Sequence, residues 1–123
     1  MLTKARKMVR QVVHGLLDSA AGHAPSGLRR AVEARTALLC GASERVGTQA
    51  ELPRELSRYV DTIALHAYKV SDADVEMLKS AGYSEDEVFE LTLCAALGAA
   101  LGRYERGVAA LDQAAGGRQE EMS

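Results

Sequence analysis

The sequence predicts an all-α fold, an array of about five helices, and three observations carry that prediction. The first is helix punctuation between Val70 and Val88. Ser84 followed by Glu87 forms a capping box, in which the hydroxyl takes an orphan backbone N–H and the carboxylate reaches back. Ser71 with Asp74 repeats the device, and Gly82 stands where a helix C-terminus favours a residue of positive φ. The second is the segment Leu91–Leu101, an uncharged run of about eleven residues that is apolar at every helical angle and so asks for burial on all sides. The third is composition: no Trp, one Phe and two Pro in 123 residues leave Ala, Leu and Val to build the core. Small aliphatic residues favour closely packed helices over sheets.

The elements follow in order. Thr3 to about Ala21 reads as an amphipathic helix, with Ala5, Val9, Val12, Val13, Leu16 and Ala20 at helical spacing among Lys4, Arg6, Lys7 and Arg10. Such a basic helix suits a membrane surface; the plainer reading is a solvated helix packed on its own domain or on a partner subunit, since Gly15 and Asp18 weaken it and no large aromatic anchors it. Gly22 to Gly27, with Pro25, is a connector. A second helix runs from Ser26 or Gly27 to about Val46, with Leu28, Ala31, Val32, Leu38, Leu39 and Ala42 as its apolar face and Gly47 as its stop. Pro53 opens a third helix, whose buried stripe of Leu56, Val60, Ile63, Ala64 and Ala67 extends to Val70. A short fourth helix, Asp72 to Ala81, leads into the long fifth. There Tyr83 and Val88 staple the start, and Glu85, Asp86 and Glu87 complement the dipole. Gly102 and Gly107 are potential bends, and past Ala114 the Gly116-Gly117 pair and polar tail read as frayed. The organisation expected is one domain over 1–123: residues 1–24 an N-terminal helix and linker, 25–115 the helical core and 116–123 the tail.

A net charge of −2 and a pI near 5.9 offer no electrostatic footprint for nucleic acid. Cys40 and Cys94 are far apart and lack metal-type spacing, so two reduced thiols in a cytoplasm is the plain expectation. No pair of histidines has ligand spacing; no metal and no cofactor are expected. The apolar run is too short to span a bilayer, and Arg10, His14 and Asp18 interrupt any signal-peptide core.

The order Val70-Ser71-x-x-Asp74-Val75-x-x-Leu78-x-x-Ala81-Gly82-x-Ser84-x-x-Glu87-Val88, with Arg103 beyond it, resembles the C-terminal half of the alkylhydroperoxidase D-like proteins. These belong to the carboxymuconolactone decarboxylase superfamily, in its peroxidase-related branch. The resemblance covers Leu52 to Leu111 and implies an oligomeric helical fold and an antioxidant-related ancestry. In the thiol-dependent members a Cys-x-x-Cys, with His four residues later, reduces peroxide: one thiolate is oxidised to sulfenic acid and the second thiol resolves it. Here Cys40-Gly41-Ala42-Ser43 keeps one thiol and places Gly47 where His would fall. Tyr59-x-x-Thr62-x-x-x-His66 keeps the spacing and the His but neither thiol. A dithiol cycle has no pair of residues to run on.

The remaining site candidates come from single residues. His66, on a helical face with Tyr59, Thr62 and Ile63, is placed for proton transfer in a small pocket, as in a cofactor-free decarboxylase or isomerase; the plainer role is a boundary histidine bonded to a neighbour. Tyr59 and Thr62 are candidate binding hydroxyls. Glu90 and Arg103 bracket the apolar run, thirteen residues and about 20 Å apart, so each needs a partner other than the other. Arg103 matches an arginine of the resembled pattern, with a structural ion pair favoured over ligand binding. Cys40 is a remote catalytic candidate, and Cys94, in the apolar run, is expected to behave as a buried hydrophobe. Gly98-x-x-x-Gly102 permits close backbone approach, and a helix apolar all round in so short a chain asks for a second subunit. Two readings result: an oligomeric scaffold that binds a small molecule or partner without thiol peroxidase activity, or a small enzyme using His66.

Overall fold

The computed structural model describes residues 2–18, 22–43 and 51–122, and all regular structure among them is helical. In order these are α1 (Leu2–Leu17), α2 (Ser26–Leu39), α3 (Arg54–His66), a 3₁₀ turn (Ala67–Lys69), α4 (Asp72–Ser80) and α5 (Glu85–Met122).

The local signals between α3 and α5 act as their chemistry dictates. Ser84 N–H donates to Glu87 Oε1 at 3.0 Å and Glu87 N–H to Ser84 Oγ at 3.1 Å. Asp74 reaches back to Ser71, accepting its N–H at 2.9 Å and its hydroxyl at 3.1 Å. Gly82 takes φ +109°, and the N–H groups of Gly82 and Tyr83 bond the carbonyls of Lys79 and Leu78. That pair of bonds is a Schellman motif, with Leu78 in the core and Tyr83 packed against that core.

α2 ends earlier than its apolar pattern suggests. Leu39 is its last residue, Gly41 takes φ +119°, and Gly41 and Ala42 N–H groups bond Leu38 and Ala37 in a second Schellman motif. The stop expected at Gly47 lies outside the described residues, as do Ala20 and the side chains of Ala5 and Leu16. α3 also stops short, at His66, and the 3₁₀ turn leaves Ala67 exposed rather than in the buried stripe. α5 does the opposite. It continues through Gly116 and Gly117 to Met122, because two glycines lower helix propensity by about 1 kcal/mol each without blocking α-helical φ and ψ.

α2 and α5 form the centre and run parallel. Gly22, just before α2, abuts Glu90; Gly98 lies on Glu33 and Thr36; Gly102 lies on Ala37; Gly41 lies by Gly102 and Arg106. Both helices advance together along this series. A methyl group on Gly98 would overlap the Glu33 carbonyl oxygen and the Thr36 hydroxyl, and one on Gly102 the Ala37 carbonyl oxygen. The glycines therefore set the interhelical distance, and that distance decides which face of α2 turns inward. The buried residues of α2 are Arg29, Ala31, Val32, Glu33, Ala34, Thr36 and Ala37, while Leu38 and Leu39 face out. Thr36 folds its hydroxyl onto the carbonyls of Val32 and Glu33, both at 3.2 Å.

The rest of the core packs around this pair. Leu56, Val60, Leu78, Val88 and Leu91 are almost wholly buried, with Val13 and Leu17 closing one end from α1. Arg35 and Asp61 join α2 to α3 by two hydrogen bonds of 2.6 and 2.7 Å. The expectation that Leu91–Leu101 is buried on every side is corrected: Leu93, Ala96 and Ala100 are exposed, since the short helices α2, α3 and α4 cover only part of the circumference. No helix among the described residues is long and apolar enough to cross a membrane.

Candidate functional site

Between α3 and α4 lies a shallow cleft of about 30 Å³, lined by Glu55, Arg58, Tyr59, Thr62, Asp74, Met77 and Leu78. That is room for water, not for an organic substrate. Tyr59 and Thr62 line it, yet both hydroxyls are committed within the protein. Thr62 donates to the Arg58 carbonyl at 2.8 Å. Thr92 donates to the Val88 carbonyl at 2.7 Å, so the 2.8 Å bond between Tyr59 and Thr92 has Tyr59 as its donor. Tyr59 thus turns its hydroxyl across to α5, away from solvent.

His66 is not in this cleft. It sits exposed at the end of α3, with backbone angles φ −145° and ψ 53° that break the helix, and packs edge-on against Tyr68 with ring centroids 6.1 Å apart. The pocket expected around His66, Tyr59, Thr62 and Ile63 is not formed. The helical face places the first residues of that set near α4, and the break at His66 carries the imidazole off the face.

Arg103 and Cys40 meet at one atom. The carbonyl oxygen of Ala64, left without a helical partner where α3 unwinds, accepts Arg103 Nη2 at 2.6 Å and the Cys40 thiol at 3.7 Å. Arg103 is therefore a side-chain cap on α3 delivered from α5, in place of the ion pair favoured from sequence. Cys40, half-buried, is the C-cap of α2 and gives its weak donor to the same carbonyl.

Glu90 holds the connector before α2. One carboxylate oxygen accepts the N–H of His23 at 2.5 Å and of Ala24 at 3.2 Å. Arg29, itself buried, closes the same turn by donating Nε to the Ala24 carbonyl at 3.1 Å. A methyl on Gly22 would overlap both the Glu90 carboxylate and the Arg29 guanidinium, so these opposite charges sit side by side against that glycine. Sequence reasoning missed Arg29 and Glu33, which lie one helical turn apart on the buried face of α2. Charges at i and i+4 ordinarily mark a solvated face, and only the α5 glycines opposite them signal otherwise.

Cys94 belongs to this buried neighbourhood. Burial pushes its thiol pKa up to about 11; Arg29 opposes the shift, and Glu90 and Glu33 add to it. Cys40 lies at the other end of the α2–α5 pair, beside the level of Gly102, two helical turns and about 12 Å along α5 from Cys94. A disulfide needs Cα atoms within about 7 Å. Both cysteines are free thiols. Among the described residues no group of three His, Cys, Asp or Glu is arranged to hold a metal ion. No family model, curated protein or solved structure matches this chain.

Proposed function

We propose that this protein is an alkylhydroperoxidase D-like scaffold of the carboxymuconolactone decarboxylase superfamily that works by assembly and partner binding, without thiol peroxidase chemistry. The observation that carries the reading is the separation of the two thiols. Cys94 is buried with a raised pKa, Cys40 is bound to the Ala64 carbonyl, and two turns of helix lie between them. A peroxidatic thiol has to be ionised and reachable, and its resolving partner has to be close. Cys94 fails the first condition, and the helical turns between the two thiols fail the second.

The competing reading, a cofactor-free enzyme using His66 for proton transfer, draws no support from the cleft. His66 stands outside it, and the polar groups of Tyr59 and Thr62 are spent on α5 and on α3 itself. The test is turnover of an organic hydroperoxide with a dithiol reductant by the wild type and Cys40→Ser. The scaffold reading expects both to match the protein-free blank. A wild-type rate above blank that disappears in Cys40→Ser contradicts it.

A further inference from the structure

α1 is seated on the rest of the protein by its second half. Val13 and Leu17 are buried in the core, whereas Lys4, Lys7, Met8, Val9, Gln11 and Val12 are all exposed. The sequence explains the difference. Seven residues, about two turns, before Val13 and Leu17 stand Arg6 and Arg10, so the side of α1 that meets the core is apolar toward its end and basic toward its start. Charged positions keep that first half off the core.

An apolar row with a basic border is left outside. Lys4, Met8 and Val12 follow one another at intervals of four, and Val9 lies beside Val12. Met8 and Val12 retain 59% and 60% of their accessible surface.

Charge sets α1 apart from everything else in the chain. It holds four of the 15 basic residues, Lys4, Arg6, Lys7 and Arg10, and none of the 17 acidic ones. The other residues carry 11 basic side chains against 17 acidic, a balance of −6 beside the +4 of α1. Asp18, the acidic residue that follows the helix, is paired with Arg30 and so does not offset that charge locally.

This combination selects the partner. In the interface of an anionic bilayer the apolar row of such a helix enters at the acyl boundary, and long basic side chains reach back to the head groups. A nucleic acid would use the charges and leave Met8 and Val12 in water. A second copy of α1 would set two all-basic helices side by side. No helix among the described residues is long and apolar enough to cross a membrane, so the contact is peripheral. With no large aromatic in α1 to anchor it, the attachment depends on charge and is reversible by salt.

We infer that α1 is an attachment helix for an anionic lipid surface, laying Met8, Val9 and Val12 into the interface with Lys4 and Lys7 at the head groups. It rests on the scaffold reading only in supplying its partner, and vesicle binding is measured without peroxide or thiol, so either can fail alone. The experiment is flotation of the full chain with vesicles of phosphatidylcholine alone and with one-third phosphatidylserine, at about 0.1 M and about 0.5 M salt. Two double variants accompany it, Lys4→Gln with Lys7→Gln and Met8→Gln with Val12→Gln. Both change exposed side chains to a good helix former, and circular dichroism checks their helicity. The wild type should float with the anionic vesicles, stay behind with the neutral ones, and be released at the higher salt. The lysine double should weaken partitioning about 25-fold, at about fivefold per charge. The apolar double should weaken it at least about tenfold. A wild type that stays in the dense layer with both vesicles overturns the inference, whether it is a monomer or pairs with a second copy. So does equal flotation with both vesicles. Anionic binding that ignores the Met8→Gln, Val12→Gln change also overturns it, since α1 would then be a site for polyanions at large, nucleic acid included.

Discussion

Gly98 lies so close to Glu33 that a Cβ on the glycine would overlap the Glu33 carbonyl oxygen. This contact fixes the spacing of the parallel α2–α5 pair and, through it, the burial of Arg29, Glu33 and Thr36. Gly98→Ala therefore has to push two helices apart, and should cost about 2–3 kcal/mol despite the better helix propensity of alanine. Gly15, with open space around it in α1, is the control: Gly15→Ala should be neutral or stabilise by up to about 1 kcal/mol. Chemical denaturation of both variants checks the pair. Equal behaviour at the two glycines would mean that α2 and α5 do not touch here.

Arg103→Met should remove the cap on Ala64 and lower stability by about 1–2 kcal/mol, with faster amide exchange in the last turn of α3. Unchanged stability and exchange would show that water satisfies this carbonyl without the arginine.

The Cys94 thiol should react slowly with a disulfide reagent at pH 8 while Cys40 reacts, and both should react on unfolding. The linkage has a sign. The folded pKa is raised from 9.0 to about 11, so the protonated thiol is favoured in the native state. Its contribution is fully present below pH 9 and is lost as the pH rises from about 9 to 11, by as much as about 2–3 kcal/mol. Cys94→Ala should flatten that part of the stability profile. A profile identical to the wild type would place the titration elsewhere.

His66→Gln should change stability by less than about 0.5 kcal/mol, because the imidazole is exposed and meets only the edge of Tyr68. Thermal unfolding checks this. A larger loss would mean that His66 holds the break between α3 and the 3₁₀ turn.

The segment from Ser71 to Glu87 was fully legible in the sequence, since Ser71, Asp74, Gly82, Ser84 and Glu87 act on backbone groups within a few residues of themselves. The all-helical class followed from them and from the apolar run. Helix ends set by tertiary partners were not legible. α3 unwinds at His66, and Arg103, thirty-nine residues beyond Ala64, caps the Ala64 carbonyl there. The Gly41 stop was masked by the apolar residues around it. Close packing at Gly98 and Gly102 was visible as a possibility, but which helix would fill it was not. Without that, the burial of Arg29 and Glu33 and the outward turn of Leu38 and Leu39 had no local sign. Glu90 stands out in the sequence by its position beside the apolar run, and its role in holding His23 and Ala24 depends on a contact across more than sixty residues.

The central claim is that the two thiols do not cooperate. Its most direct test is intact and peptide mass spectrometry of the native protein after treatment with a stoichiometric amount of hydroperoxide. Cys40 and Cys94 should both be recovered as thiols, or Cys40 alone should carry a slow, unselective oxidation. Rapid formation of an intramolecular Cys40–Cys94 disulfide would contradict it.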